Sequence, residues 1–286
     1  MGVSLEHVSL LRLDQTGGPA PGNKSFKLRD YLAEAKRLAI PRLVSFGGVW
    51  SNHLHALAAL GHHHSIDTVG IVRGEEIEQQ SAMLADAKAW GMRIVHVSRH
   101  EYRQRNDVHY QQRLNERFAP CLLIPEGGSA VTGARGCGAI AQLIQRNTSW
   151  PTHIVLPVGT GTTLAGLAAA LDDRYEVLGI SALKGATDLE QRVQALLGKL
   201  ATGRHARWHI LHDYHCGGFA RVNSPLREFM LAFESVHGVQ LDPVYTGKML
   251  FAIHQLFERE EWDADAPLLA IHTGGLQGRR GYPWLR

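Results

Sequence analysis

Cysteine is scarce in this chain, and long apolar runs are absent. The 286 residues include three cysteines, Cys121, Cys137 and Cys216, which are scattered and lack the spacing of a metal site. This usage favours a reducing compartment, so we expect a cytoplasmic protein. No stretch approaches the roughly 18 consecutive apolar residues of a membrane helix. The start also lacks the basic and then apolar segment of a secretion signal. We therefore expect neither membrane insertion nor export.

Clusters of charge are absent as well. The chain has 30 Lys and Arg residues against 27 Asp and Glu residues, a net charge of +3. Basic residues do not alternate with aromatic ones in any run, so we expect no nucleic-acid partner. Hydrophobic residues make up 44% of the chain, which is typical of a globular protein of one or two domains.

Short apolar, β-branched segments alternate with segments of helical periodicity from about residue 40 onward. This alternation predicts an α/β protein in which helices cover a parallel sheet. The predicted strands are 43–46, 68–72, 93–97, 121–124, 153–156, 177–181 and 268–271. The predicted helices are 27–38, 54–60, 84–90, 140–144, 164–171 and 226–233.

Three consecutive histidines, His62, His63 and His64, follow Gly61. A glycine after an apolar helical stripe suits a helix C-terminus, so we expect the helix to end at Gly61 and the histidines to lie in a solvated loop. Adjacent side chains diverge rather than converge on one ion, so we predict no metal site.

Three glycine-rich turns follow predicted strands, at 47–48, 127–129 and 159–163. In the third, GTGTT, glycines let N–H groups converge on an anion, and a helix N-terminus and Thr hydroxyls add to its stabilisation. No Gly-Lys-Ser/Thr follows, and Leu164 replaces the third glycine of the dinucleotide fingerprint. By itself the turn is either a phosphate site or a tight structural turn.

The segment PGNKSFKLRDYLAEA places Lys24 at the start of a predicted helix, after Gly22 and Asn23. One interpretation is a solvated surface lysine. The other is a Schiff-base nucleophile, whose amine is freed by partial burial and by a neighbouring positive charge. Lys27, one helical turn further on, can supply that charge or reach a phosphate.

The pair GNKSFKL and LVSFGGVWSNH resembles the paired motifs of the 1-aminocyclopropane-1-carboxylate deaminase and D-cysteine desulfhydrase family. GTGTTLAG is similar to the phosphate-binding turn of that family, LDPVYTGK to its active-site tyrosine segment, and IHTGG to its turn beside the pyridine nitrogen. The motifs follow in family order along nearly the whole chain. The resemblance implies a two-domain α/β enzyme of fold type II, similar to tryptophan synthase β, with pyridoxal 5'-phosphate as cofactor.

The resemblance also implies residue roles. Lys24 would hold the cofactor as a Schiff base, Asn52 would hydrogen-bond its phenolic oxygen, and Ser51 would receive the substrate carboxylate. The catalytic residues would be Lys24, Ser51 and Tyr245. The cofactor-binding residues would be Lys24, Lys27, Asn52, Gly159, Thr160, Gly161, Thr162, Thr163, Thr246 and Thr273. The substrate-binding residues would be Ser51, Asn52 and His53.

Two of these residues have other interpretations. Ser51 is also suited to an ordinary helix N-cap, a role compatible with carboxylate binding by the same helix start. Tyr245 is either a core tyrosine or a phenol that relays a proton. The implied domains are a large cofactor-binding domain, 1–37 with 131–286, and an inserted small domain, 38–130.

The chain departs from the family pattern at several positions. Phe219 stands where a second active-site tyrosine is usual, and Phe26 stands where arginine is common. Thr246 and Thr273 stand where the deaminase branch has glutamate and leucine, and they resemble the desulfhydrase branch. A carboxylate beside the ring nitrogen favours its protonation, whereas hydroxyls leave it largely neutral. These residues favour β-elimination over cyclopropane opening.

We therefore predict a lyase or deaminase that acts on a small amino acid, with D-cysteine as the best candidate and pyruvate, ammonia and sulfide as products. A homodimer is the usual association of similar proteins. Three alternatives remain open: a 1-aminocyclopropane-1-carboxylate deaminase, a non-catalytic protein that binds the cofactor or a partner, and a nucleotide-binding module.

Overall fold

The computed structural model describes residues 8–76, 78–147, 153–200, 203–262 and 266–285. The strands are β1 (Val8–Arg12), β2 (Arg42–Gly47), β3 (Asp67–Arg73), β4 (Arg93–Val97), β5 (Leu122–Ile124), β6 (His153–Val158), β7 (Glu176–Ser181), β8 (Arg207–Leu211) and β9 (Leu268–His272). The α-helices are α1 (Asn23–Arg37), α2 (Asn52–His64), α3 (Ala82–Ala89), α4 (Arg99–Arg103), α5 (Val108–Phe118), α6 (Val131–Asn147), α7 (Thr162–Ala170), α8 (Leu189–Leu200), α9 (Ser224–His237) and α10 (Thr246–Glu258).

The chain divides into two compact units. Unit 1 comprises Met1–Thr16 and Cys137–Leu276, and its sheet has the strand order β1-β9-β6-β7-β8. Unit 2 comprises Gly17–Gly136 and Gln277–Arg286, and its sheet has the order β4-β3-β2-β5. Every strand pair in both sheets is parallel. The predicted α/β class with parallel sheets is therefore confirmed.

The bounds of the units differ from those of the predicted domains. Helix α1 lies within unit 2, whereas the predicted small domain begins at residue 38. The division into 1–37, 38–130 and 131–286 stays a prediction.

Unit 2 has an apolar cluster on each face of its sheet. Leu43 of β2 belongs to the cluster built by α1, α2 and α3, and Val44 and Phe46 belong to the cluster that includes α5. Successive side chains of a strand point to opposite faces, so a strand covered on both sides is apolar along most of its length. This explains why residues 43–46 of β2 are visible in the sequence as an apolar run, in which Ser45 is the one polar residue.

In unit 1 the central strands are buried along most of their length. Every residue of β9 is buried, as are five of the six residues of β6 and of β7. Helix α10 contacts β6, β7 and β9, and α7 contacts β6 and β7. The glycine-rich turn 159–161 joins β6 to α7, so it lies at the carboxyl end of a central parallel strand, where α/β proteins bind ligands.

The predicted end of the second helix at Gly61 is wrong. Helix α2 continues to His64 and ends at Ser65, which adopts the left-handed conformation. The glycine at position 61 reflects close packing rather than a helix end. A Cβ atom there would come within 2.3 Å of Thr68 Cγ2 and 2.8 Å of the Ile66 carbonyl oxygen. His62, His63 and His64 therefore form the last helical turn rather than a loop.

Within the described residues, no helix is both long and apolar enough to cross a membrane.

Candidate functional site

The predicted site residues lie in both units. Lys24, Lys27, Ser51, Asn52 and His53 belong to unit 2. The turn 159–163, Tyr245, Thr246 and Thr273 belong to unit 1.

Lys24 lies in the first turn of α1. Gly22 precedes the helix with φ 111°, a conformation that suits glycine and starts the helix sharply. The Lys24 side chain is half-buried, and its Nζ donates a hydrogen bond to Asn23 Oδ1 at 2.9 Å. The lysine is thus held at the helix start instead of extending into solvent.

Lys27 and His53 accompany Lys24. Both are buried, with 4% and 3% of their surfaces exposed. Burial, and then the positive charges of Lys24 and Lys27, lower the pKa of His53 to about 3. His53 is therefore neutral near pH 7, and the positive charge in this group belongs to lysines.

The tautomer of His53 follows from its neighbours. Its Nε2 lies 2.8 Å from Ser45 Oγ, and that hydroxyl donates to the Ile124 carbonyl oxygen at 2.8 Å. The Ser45 hydrogen is thus committed, so His53 Nε2 carries a hydrogen and donates it to Ser45. His53 Nδ1 is then an acceptor, and it is buried with no hydrogen-bond partner among the described residues.

The glycine turn 127–128 packs against the same residues. A Cβ atom on Gly128 would lie 3.4 Å from Lys27 Cβ and 3.7 Å from His53 Cε1, and the residue has φ 69°. A glycine is needed here for its conformation. The turn therefore supports Lys27 and His53 from within unit 2.

Ser51 and Asn52 lie at the start of α2. Ser51 is the N-cap, and its Oγ accepts a hydrogen bond from the Leu54 N–H at 3.2 Å. A Cβ atom on Gly47 would lie 2.5 Å from Ser51 Oγ, so only glycine fits there. Asn52 Oδ1 accepts a hydrogen bond from Gln277 Nε2 at 2.5 Å. The N-cap role of Ser51 is real, and a helix start of this kind also favours an anion.

In unit 1, the turn 159–163 has the form of an anion site. Gly161 has φ 78°, and α7 begins immediately after it. The first N–H groups of a helix have no partner within the helix. The Oγ1 atoms of Thr160 and Thr162 are 2.8 Å apart and hydrogen-bonded. Backbone N–H groups and two hydroxyls thus gather at one helix start, a donor set suited to phosphate.

Tyr245 lies against this turn. A Cβ atom on Gly159 would be 3.1 Å from Tyr245 Cε1 and 3.2 Å from its hydroxyl oxygen. The glycine therefore leaves room for the phenol ring. The ring of Phe219 meets Tyr245 edge-on at 6.1 Å between centroids. The structure therefore brings the predicted tyrosine and the predicted phosphate turn together.

Asp242 is a structural residue that the sequence reasoning missed. Its carboxylate accepts hydrogen bonds from the N–H groups of Val244 (3.0 Å), Tyr245 (2.8 Å) and Thr246 (2.8 Å). It also accepts from the Thr246 hydroxyl. Asp242 is buried, so it fixes Tyr245 and the start of α10 together. The acid three to four residues before a helix start is the signal that was available in the sequence.

Thr273 is buried just after β9, in the turn with Gly274 and Gly275. The preceding His272 is fully buried, with Nε2 2.8 Å from the Gln240 carbonyl oxygen and Nδ1 3.1 Å from Asp14 Oδ1. Contacts on both sides of the His272 ring fix the end of β9. They therefore also fix the position from which Thr273 extends.

Lys248, in the first turn of α10, was also missed. It is 1% exposed, and its Nζ donates to the carbonyl oxygens of Gly218 (2.7 Å) and Ala182 (3.4 Å). Burial lowers the pKa of Lys248 to about 8. Gly218 lies in the loop with Phe219, which is 53% exposed. Lys248 thus fastens the loop that places Phe219 beside Tyr245.

These residues have the chemistry that pyridoxal 5'-phosphate requires. The cofactor needs an amine for its aldehyde, N–H and hydroxyl donors for its phosphate, a donor for its phenolic oxygen and a polar group at its ring nitrogen. Unit 2 offers an amine at Lys24 and an amide at Asn52, and unit 1 offers N–H and hydroxyl groups in the turn 159–163 and hydroxyls at Thr246 and Thr273.

Comparison with known proteins agrees with this chemistry. Residues 5–274 match the family described as "Pyridoxal-phosphate dependent enzyme". The chain is 30% identical over 285 residues to a Thermotoga maritima protein named "Putative 1-aminocyclopropane-1-carboxylate deaminase", covering 95% of this chain and 89% of that protein. It is 28% identical over 284 residues to the D-cysteine desulfhydrase of Salmonella choleraesuis, covering 94% and 86%.

Solved structures show the same fold. The crystal structure of an ACC deaminase homologue matches with a TM-score of 0.84 and 23% identity, covering 98% of this chain and 89% of that one. Serine racemase from Dictyostelium discoideum matches with a TM-score of 0.64 and 15% identity, covering 89% and 83%. The predicted fold type II is confirmed. The chain belongs to the pyridoxal-phosphate dependent enzyme family and is a lyase or deaminase that uses this cofactor.

Proposed function

We propose that this enzyme catalyses β-elimination from a small D-amino acid, with D-cysteine as the best candidate. One water is consumed, and pyruvate, ammonia and sulfide are released. The observation that supports this most directly is the pair Thr246 and Thr273 at the positions that the family resemblance assigns to the ring nitrogen. The Thr246 hydroxyl hydrogen is donated to Asp242. This leaves Thr273 to donate a hydrogen bond to an unprotonated ring nitrogen.

The residues of the chain have distinct tasks in this reaction. When bound, the cofactor withdraws electrons from the substrate Cα. Lys24 Nζ, freed when the substrate amine takes its place, removes the proton from that carbon, and Ser51 with the first N–H groups of α2 binds the substrate carboxylate. The Tyr245 phenol donates a proton where the thiol leaves, and the turn 159–163 holds the cofactor phosphate. Lys27 adds positive charge near Lys24, and His53 stays neutral because both lysines and burial lower its pKa.

Borohydride reduction of the purified protein, followed by peptide mapping, tests the central assignment. We expect a pyridoxyl group on Lys24, and we expect Lys24→Ala to reduce turnover by more than about 100-fold, because the group that moves the proton is lost. Lys36→Ala is the matched control, since Lys36 is an exposed lysine of the same helix. A pyridoxyl group found on a different lysine would overturn the assignment.

The substrate is tested by side-by-side turnover of D-cysteine, L-cysteine and 1-aminocyclopropane-1-carboxylate. The cyclopropane acid is the second candidate because relatives with 27% and 30% identity carry the name of its deaminase. We expect sulfide and pyruvate from D-cysteine as the main activity. Release of 2-oxobutanoate as the main activity would instead establish the deaminase, and no turnover of any amino acid would contradict both.

We further propose that the enzyme is a cytoplasmic homodimer. The support is the resemblance to proteins that associate in this way, together with the scarcity of cysteine. Light scattering of the purified protein measures the subunit number directly, and a monomeric mass would contradict the proposal.

A further inference from the structure

Gln277 has a defined contact at each end of its side-chain amide. Its Nε2 donates to the Trp50 carbonyl oxygen at 3.4 Å and to Asn52 Oδ1 at 2.5 Å. Its Oε1 accepts from Arg280 Nη2 at 3.5 Å. A backbone carbonyl only accepts and a guanidinium only donates. These two neighbours therefore determine that the NH₂ end of Gln277 faces Asn52.

The orientation of Asn52 follows from that of Gln277. If the Asn52 amide were turned over, its NH₂ group would meet the NH₂ group of Gln277, and the hydrogen bond would be lost. Asn52 thus presents its oxygen to Gln277, and its two N–H donors face away from residue 277. An amide side chain has its donor and acceptor on opposite branches, so fixing one fixes the other.

The segment that carries Gln277 is attached firmly to unit 2. The Arg280 guanidinium forms an ion pair with the Asp86 carboxylate, which also contacts His55 Nε2 at 3.0 Å. Arg280 Nε donates to the Gln277 carbonyl oxygen at 3.1 Å. The backbone of Gly281 lies on the Trp50 indole, where a Cβ atom would be 3.2 Å from the ring. Contacts with α2, α3 and residue 50 therefore hold Gln277 in place.

We propose that Gln277 is a positioning residue that aims the N–H donors of Asn52 at the phenolic oxygen of the bound cofactor. This inference rests on the proposed roles of Asn52 and Lys24. A donated N–H stabilises the phenolate, whereas an amide oxygen in the same place would repel it. Without this donor, the phenolate holds the proton that it shares with the Schiff-base nitrogen more tightly. The pH at which that proton is lost is therefore higher.

The test is a pH titration of the visible absorbance of the cofactor in the holoenzyme. In Gln277→Leu, which removes the donor at similar size, we expect the midpoint to rise by about 0.5–1 unit, the equivalent of one ordinary hydrogen bond. We expect the dissociation constant of the cofactor to increase about 3- to 10-fold. Gln277→Glu offers only acceptors to Asn52, and we expect a shift in the same direction. Gln112→Leu, at an exposed glutamine of α5, serves as the matched control and should change neither value.

A double-mutant cycle separates positioning from a general structural role. Asn52→Ala should raise the midpoint by itself, and adding Gln277→Leu to it should cause no further shift, because Gln277 acts through Asn52. Additive shifts, or an unchanged midpoint and dissociation constant in Gln277→Leu, would overturn the inference. Failure of the proposed function is a different result, since peptide mapping of the wild type would then find no pyridoxyl group on Lys24, or D-cysteine would not be the main substrate in the turnover assay.

Discussion

His53 is a buried base whose charge state affects stability. Its pKa of about 3 lies below the ordinary value of 6.5, because burial and two lysines disfavour the charged form. As the pH falls from 6.5 towards 3, the unfolded chain binds a proton at this position and the folded chain does not. The free energy of unfolding therefore decreases with falling pH in this window.

We expect the wild type to lose about 2 kcal/mol of unfolding free energy through His53 between pH 7 and pH 5. In His53→Gln this loss should disappear, so the difference in stability between variant and wild type changes with pH. Urea unfolding at several pH values measures it. His62→Gln changes an exposed histidine of the same helix and should keep the wild-type pH dependence. An identical pH profile for His53→Gln and the wild type would show that His53 binds its proton equally well in the folded and the unfolded chain.

Single residues differ in how far the sequence identifies them. Lys24, Ser51 and Asn52 stand in contiguous motifs, and motifs of this kind can be recognised in the sequence without a structure. Gln277 is 225 positions from Asn52, and no local pattern marks it as a neighbour. His53 was predicted to bind substrate, yet its hydrogen bond to Ser45 and its neutral state depend on burial that only the packed unit creates. Roles at the cofactor follow from the family, and they stay predictions.

At the scale of elements, burial decides what can be predicted. All seven predicted strands are present within one or two residues of their predicted bounds. The two strands that were missed, β1 and β8, lie at the edges of the sheet of unit 1. Edge strands have a partner on one side only, and β8 includes exposed Arg207 and His209. Mixed polar sequences of this kind lack the continuous apolar run on which the prediction depended.

Helix α10 was missed as an element, and its start depends on Asp242. Asp242→Ala removes the acceptor of three N–H groups and one hydroxyl, so we expect a loss of about 1–3 kcal/mol in unfolding free energy. Tyr245 and Thr246 should lose their fixed positions, and the cofactor should bind more weakly. Urea unfolding and cofactor titration measure the two effects.

Asn223→Ala is the matched control for Asp242→Ala, because it removes the cap of a different helix. Asn223 caps α9 through one hydrogen bond, from the Leu226 N–H at 3.1 Å. We expect Asn223→Ala to lower the free energy of unfolding by about 1 kcal/mol and to leave cofactor affinity unchanged. Equal effects of the two variants on cofactor affinity would mean that Asp242 acts only as a helix cap.

At the scale of the whole molecule, the net charge of +3 includes the charge of Lys248, which is buried. Lys248 is charged at neutral pH in a place where burial disfavours charge, with carbonyl oxygens as its neighbours. Its pKa of about 8 lies below the ordinary value of 10.5. Between these values the unfolded chain binds more protons than the folded chain, so the contribution of Lys248 to stability rises with pH.

We therefore expect the stability of the wild type relative to Lys248→Met to increase by about 2 kcal/mol between pH 8 and pH 10. The other titratable groups are common to both proteins and cancel in the difference. Lys88→Met, at an exposed lysine of α3, should show no such change relative to the wild type. Guanidinium unfolding across this pH range provides the measurement. A constant difference between the wild type and Lys248→Met would mean that Lys248 keeps an ordinary affinity for its proton, and that its two carbonyl contacts compensate fully for burial.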